Sequence, residues 1–257
     1  MKIISTIEAR MTSSRLPGKV VKEIMGRPAL ELLIERLRSV KEIQEIVVAT
    51  TINKTDDVIE ELCRRLKVKC FRGSENDVLG RVCGAVQSVS GDIIIEITGD
   101  CPLVDPDIIR TCLKLYLEGQ CDYLSNGSLK RTFPDGLDVQ VFSAKALEEI
   151  NRLSSDPVDR EHVTHYFYTH PEQFRLKNYE ANDELCWPEL AITLDTPEDL
   201  RLITAIFEAL YPSNRLFSAY DIVRYLKANP DLVTMNMDEE RLKNYLSVTP
   251  RSKGAKE

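Results

Sequence analysis

Short apolar runs alternate with amphipathic stretches from the N-terminus to about residue 145, the pattern of a parallel sheet covered by helices. The runs predict strands at Ile3–Ile7, Glu45–Thr51, Val68–Phe71 and Asp92–Thr98. The last of these, Asp92-Ile93-Ile94-Ile95-Glu96-Ile97-Thr98, is β-branched and nearly unbroken, as a strand buried on both faces should be. Between the runs the apolar period lengthens. Leu30, Leu33, Ile34 and Leu37 share one face of a helix over Ala29–Ser39. A Thr-Asp-Asp start opens a helix over Thr55–Leu66 that buries Val58, Ile59, Leu62 and Leu66. Asp77–Val89 and Pro106–Leu117 follow the same logic, the second with its proline suited to a first turn.

Beyond Tyr123 the pattern changes. Asp122–Ser125 and Leu137–Phe142 predict strands, the second alternating Leu137, Val139 and Val141 against Asp138 and Gln140. Asn126-Gly127-Ser128 and Pro134-Asp135-Gly136 signal turns between them. Helices are then expected at Ala144–Leu153, Pro157–Tyr168, Pro197–Leu210 and Ala219–Lys227, with one more strand at Leu190–Leu194. The polar Arg251–Glu257 is expected to fray. There is no internal repeat, low-complexity tract or long linker. The chain therefore reads as one domain over residues 1–210, with a C-terminal helical extension, 211–257, packed on it.

At 257 residues, 43% apolar and 29% charged, the composition is that of an ordinary soluble protein with material for a core. No stretch approaches the ~20 uninterrupted apolar residues of a membrane span. The N-terminus, charged again at Glu8, does not read as a signal peptide. A net charge of −7 disfavours nucleic acid as a partner. Seven cysteines without a C-x-x-C pair, set in apolar runs, read as reduced thiols of a cytoplasmic protein rather than disulfides or a zinc site.

Against this acidic background one segment stands out. Residues 9–19, Ala-Arg-Met-Thr-Ser-Ser-Arg-Leu-Pro-Gly-Lys, hold three cations, three hydroxyl residues and a glycine directly after the first strand. Open α/β sheets place ligands beyond the carboxyl ends of their strands, and this loop can surround a polyphosphate with charge and donors. It has neither the Walker A nor the G-x-G-x-x-G spacing. Lys19, read as an exposed loop residue, is expected to add little to the fold. Asp100, in Thr98-Gly99-Asp100-Cys101-Pro102-Leu103-Val104-Asp105-Pro106, ends the most buried strand; a carboxylate beside a phosphate loop is the usual means of holding Mg²⁺. Asp195, in Leu194-Asp195-Thr196-Pro197-Glu198, also ends an apolar run, although it and Thr196 could equally cap the next helix.

These segments, with Pro134-Asp135-Gly136-Leu137-Asp138-Val139-Gln140-Val141-Phe142 and Asp159-Arg160-Glu161-His162-Val163-Thr164, occur in the order found in a known family. The chain resembles the cytidylyltransferases of bacterial surface-sugar synthesis over residues 1–210: the CMP-Kdo synthetases and, more closely, the SpsF-like spore-coat polysaccharide proteins. The resemblance implies a Rossmann-like nucleotidyltransferase fold, a mixed, mostly parallel sheet with helices on both faces. It also implies Mg²⁺-dependent transfer of CMP from CTP to an acceptor sugar, and a homodimer. Carried over by position, Arg10, Arg15 and Lys19 fall on the triphosphate loop and Asp100 and Asp195 on the magnesium ligands. Arg10, Lys19, Asp100 and Asp195 are thus the catalytic set. Ser74 and Arg81 fall near the nucleotide pocket. Asp135, Asp138 and Gln140 offer acceptors for sugar hydroxyls, and Arg160 and His162 could pair with an acidic acceptor. His165 and His170 read as helix-face residues. Two other readings stay open: a metal-dependent glycosyltransferase, although Gly99-Asp100-Cys101-Pro102 lacks the second acid of a D-x-D metal motif, and a non-catalytic sugar-nucleotide binding protein.

Overall fold

A computed structural model describes residues 1–237. Four β-branched runs form the parallel heart of the sheet: β1 (Ile3–Glu8), β4 (Glu45–Thr51), β5 (Lys69–Gly73) and β6 (Ile93–Thr98). A two-residue hairpin, β2 (Glu23–Ile24) with β3 (Arg27–Pro28), closes the loop after β1. Further along, β7 (Tyr123–Ser125), β8 (Gln140–Ser143) and β9 (Leu176–Asn178) complete seven strands in the order β5-β4-β1-β6-β8-β7-β9. β8 runs antiparallel to both neighbours, and every other pair is parallel.

Crossover helices cover both faces: α1 (Ala29–Arg38), α2 (Asp57–Leu66), α3 (Val78–Ser88) and α4 (Pro106–Leu117), then α5 (Ala144–Leu153), α6 (Pro157–Glu161) and α7 (His165–Thr169). The chain continues through α8 (Pro197–Leu210), α9 (Ala219–Ala228) and α10 (Pro230–Val233). Because successive strand side chains point to opposite faces, the core divides in two. Ile7, Val48, Ile95 and Ile97 meet α1, α2, α4, α8 and α9 on one face. Ile4, Val47, Ala49 and Ile94 meet α3, α5 and Phe167 of α7 on the other. From α9, Ala219, Ile222, Val223 and Leu226 enter the first cluster.

Several expectations need correction. The strand expected at Leu137–Phe142 pairs only from Gln140 onward. The Asn126 side chain takes the place of a neighbouring strand upstream, donating to the Leu137 carbonyl at 2.9 Å and accepting from Val139 N–H at 2.7 Å. Leu190–Leu194 forms no ladder among the described residues. It makes one bridge, Asp135 to Ala191, and its Leu194 N–H donates to the Asp100 carbonyl at 2.8 Å. The helix expected over Pro157–Tyr168 breaks in two, with His162 extended at φ −111° and ψ 91°. Val58, expected in the core, is exposed. The edge strand β9 has no alternation by which to foresee it. The fraying expected for Arg251–Glu257 lies outside the described residues.

Candidate active site

The loop after β1 folds back on itself. Gly18 adopts φ +70° and donates its N–H to the Met11 carbonyl at 2.9 Å, a left-handed turn that glycine enters without strain. From behind, the buried Asp56 carboxylate accepts from Met11 N–H at 3.0 Å and from Thr50 Oγ1, Thr51 N–H and Thr51 Oγ1. Burial alone would raise its pKa; these hydrogen bonds outweigh burial and hold it below the usual carboxylate range. The turn aims Lys19 across the ends of the strands.

Lys19 Nζ lies 2.6 Å from Asp100 Oδ2 and 2.6 Å from Asp195 Oδ1. Two aspartates 95 positions apart in the chain thus converge on a single cation's position. The Leu194–Asp100 backbone bond provides the junction. Burial pulls the ammonium's pKa down, but the two carboxylates outweigh burial and leave it raised. Arg15 Nη2 reaches the other oxygen of Asp195 at 2.9 Å. Arg10 stands 3.7 Å from Glu75, which also takes hydrogen bonds from Thr12 and Asn53.

These groups open on a cavity of about 370 Å³ lined by Arg10, Arg15, Lys19, Arg81, Asp100 and Asp195, with Glu8, Glu161 and His162 completing its wall. Arg81 is 3% exposed, held through Nη1 by the carbonyls of Ser74 and Glu75. Its Nε is buried without a partner among the described residues. Ser74 does not line this cavity; its hydroxyl accepts from Asp77 N–H at 3.2 Å and its carbonyl positions Arg81. Below the floor lies a feature that residue patterning did not single out. Glu96, buried within β6, stands beside Glu8 at the end of β1. Burial, and then the neighbouring Glu8, raise the Glu96 carboxyl well above the usual range.

On the far side of Asp195 a second cavity, about 220 Å³, is lined by Arg15, Asp135, Thr193 and Asp195 among others. Arg131 Nη1 lies 3.0 and 3.1 Å from the two oxygens of Asp138 and 3.4 Å from Asp135. Burial, with Asp135 alongside, pushes the Asp138 carboxyl up to about 6, against the opposing pull of Arg131. Gln140 sits deeper. Its carboxamide oxygen accepts from the hydroxyls of Tyr123, Thr164 and Ser128.

The broken helix separates two residues that adjoin in sequence. His162 faces the first cavity. Arg160 turns to Asp77, at 2.5 Å from Nη2 and 2.8 Å from Nε, and to the Asn151 carbonyl. His165 accompanies buried Asp159 at 2.6 Å. The ligand chemistry at the centre is two hard carboxylate oxygens beside a cationic loop. That set suits Mg²⁺, which takes one or two carboxylates and fills its sphere with water and substrate phosphates.

A cationic loop after the first strand of a mostly parallel sheet, facing two carboxylates that meet beyond the strand ends, defines a nucleotidyltransferase. The chain belongs to the cytidylyltransferase family, which residues 4–222 match, and is a CTP-dependent nucleotidyltransferase. It is 37% identical over 251 residues to an uncharacterized protein of Methanocaldococcus jannaschii, covering 96% of this chain and 99% of that one. It is 32% identical to the spore coat polysaccharide biosynthesis protein SpsF of Bacillus subtilis, covering 90% and 97%. A cytidylyltransferase structure from Leptospira borgpetersenii superposes with a TM-score of 0.86 at 33% identity, covering 93% and 98%. A CMP:2-keto-3-deoxy-manno-octonic acid synthetase structure shares the fold, with a TM-score of 0.62 at 18% identity over 81% and 99%.

Proposed function

We propose that this protein transfers the cytidylyl group of CTP to a hydroxyl of an acceptor sugar, Kdo-like or another precursor of a surface polysaccharide, and releases pyrophosphate. The observation that carries the proposal is the convergence of Asp100 and Asp195 on the Lys19 ammonium, at 2.6 Å from each. Such a constellation neutralises a polyphosphate at one end and holds a cation at the other. Arg10, Arg15 and Lys19 bind and orient the triphosphate. They hold charge where it develops on the α-phosphoryl oxygens and the leaving pyrophosphate. Asp100 and Asp195 would hold Mg²⁺, which supplies Lewis-acid charge to the phosphate oxygens when bound.

The acceptor hydroxyl attacks the α-phosphorus, a bond forms from its oxygen to phosphorus, and the bond to the β-phosphate oxygen breaks. Alignment of the two substrates accounts for much of the acceleration. Arg15 and Asp195 border both cavities, which supports CTP on the Lys19 side and the acceptor toward Asp135. Arg160, committed to Asp77, is a weaker candidate for an acceptor carboxylate than His162. The SpsF name and the reduced thiols support a cytoplasmic place in polysaccharide synthesis, and the family resemblance supports a homodimer.

The test is incubation with CTP, Mg²⁺ and a panel of 2-keto-3-deoxy acids, nonulosonates and neutral sugars, with pyrophosphate and CMP-sugar measured together. Acceptor-dependent appearance of both is expected, and Asp100→Asn and Asp195→Asn should each abolish most of it. Nucleoside diphosphate released from a sugar nucleotide instead would mark a glycosyltransferase. Tight nucleotide binding without turnover on any acceptor would favour a binding protein.

A further inference from the structure

Of the segment Asp159-Arg160-Glu161-His162, Glu161 and His162 line the first cavity, whereas Arg160 crosses away from it. Its guanidinium meets Asp77, the residue before α3, with Nη2 at 2.5 Å and Nε at 2.8 Å from the same Oδ1. That oxygen also caps α3, accepting from Gly80 N–H at 2.9 Å. Gly80 leaves the room for this contact. A Cβ there would overlap the Asp77 carboxylate and stand 2.9 Å from Arg160 Nη2. Burial would raise the Asp77 carboxyl, but Arg160 and then the Gly80 N–H outweigh burial and hold it below the usual carboxylate range. The contact is therefore an ion pair at neutral pH.

Each partner is one step from a residue of the cavity wall. On one side, Arg81 N–H donates to the Asp77 carbonyl at 3.0 Å, and the Arg81 side chain lines the cavity beside Val78. On the other, His162 closes the turn that Arg160 belongs to, its N–H donating to the Val158 carbonyl at 2.8 Å. This wall and the cationic loop come from opposite faces of the sheet: Val78 packs in the second core cluster, and Val20, next to Lys19, in the first. A triphosphate seated on Arg15 and Lys19 thus directs its nucleoside toward Arg81 and His162.

We propose that Asp77 and Arg160 are a positioning pair that clamps α3 to the turn after α6 and so sets Arg81 and His162 against the nucleoside half of CTP. The inference rests on the seating of the triphosphate proposed above. Neither partner touches the substrate. The clamp preorganises one wall of the cavity, and Arg160 serves the nucleotide through Asp77 rather than binding the acceptor.

The experiment titrates the full-length protein with CTP and with inorganic tripolyphosphate, each with Mg²⁺ and without acceptor, by calorimetry. Arg160→Gln and Asp77→Ser should each weaken CTP about tenfold, as when a preorganised wall loosens, and tripolyphosphate by less than about twofold. Serine can still cap α3, so Asp77→Ser removes the clamp and keeps the helix start. The double variant should lose no more than either single one, because the two side chains act as a unit. Arg160→Lys, which keeps a charged donor, should recover part of the loss. Unchanged CTP affinity in both single variants, or equal weakening of both ligands, overturns the proposal. So does intact CTP affinity with a raised acceptor KM, which would make Arg160 an acceptor ligand. Should either variant fail to fold, Gly80→Ala decides: it keeps both charges, crowds the Asp77 carboxylate and should show the same split. The split needs no turnover, so it stands even if no acceptor receives the cytidylyl group. Lys19→Ala should weaken both ligands; if it spares both, the loop does not seat the triphosphate, and the proposed function falls with this inference.

Discussion

Lys19 balances two carboxylates with one ammonium, and its side chain is only 15% exposed. It is therefore not the exposed loop lysine that its neighbours Pro17 and Gly18 suggest. Lys19→Ala should lower kcat/KM for CTP by about 2–4 kcal/mol of transition-state stabilisation. It should also destabilise the ligand-free protein by about 1–3 kcal/mol in urea unfolding, since Asp100 and Asp195 are left to repel. Mg²⁺ should restore more stability to this variant than to wild type, because it can take the ammonium's place. The pKa of Lys19 is raised in the fold, so its contribution is complete below 10.5 and is lost only as pH rises through the folded value. The stability difference between wild type and Lys19→Ala should accordingly stay flat through neutral pH.

Asp138 has the opposite consequence. A carboxyl raised to about 6 from 3.8 favours the fold while protonated, a contribution present below 3.8 and lost as pH rises through 6. The stability of Asp138→Asn relative to wild type should therefore increase across that window. Urea titrations at several pH values measure it, and a flat difference would mean that Asp138 titrates normally.

Among the elements, the ends of β1 and β6 carry the site, and they approach closely. Gly99 N–H donates to the Glu8 carbonyl at 2.8 Å. A Cβ on Gly99 would stand 2.5 Å from that same oxygen, a backbone atom that cannot turn aside. Gly99→Ala should pry the two strand ends apart. About 1–3 kcal/mol of stability should be lost, together with most of the turnover, because Asp100 is the next residue. Unfolding and pyrophosphate assays on the same sample test both effects. The break at residues 162–164 is an equally local decision with a functional result. It turns His162 toward the cavity and leaves Arg160 with Asp77, a separation that unbroken helical periodicity would not produce.

Across the molecule, a buried cation ties the segment leading into α9 to the loop after β6. Arg36 of α1 is 1% exposed; its Nε donates to the Val104 carbonyl at 2.7 Å and its Nη2 to the Phe217 carbonyl at 2.6 Å. Burial lowers its pKa to about 10. The guanidinium also lies over the Phe217 ring, 4.6 Å from its centroid. Arg36→Met should orphan both carbonyls and cost about 2–4 kcal/mol. Amide exchange in residues 219–228 should accelerate while β1 and β6 stay protected. Uniform acceleration across the sheet would show that α9 is not a separable unit.

The sequence by itself determined the parallel strands, most crossover helices and the cationic loop. Each is set by local chemistry: β-branched runs, an apolar period, a glycine at a left-handed turn. The order of the motifs also carries the family resemblance. Only the tertiary structure decided what lies across from what. Asp100 and Asp195 meet because a segment without a β-ladder carries Asp195 to the Asp100 loop through one backbone bond, a contact with no local signature. Gln140 alternates as a surface residue would, yet lies under three hydroxyl groups. Its surroundings are supplied by Tyr123, Ser128 and Thr164, from other parts of the chain. The acid pair of Glu8 and Glu96 was hidden for the same reason: in one strand each is a single polar interruption, and only the β1–β6 register makes them neighbours. Period and propensity act over a few residues, whereas ion pairs and buried acids depend on distances that the fold alone sets.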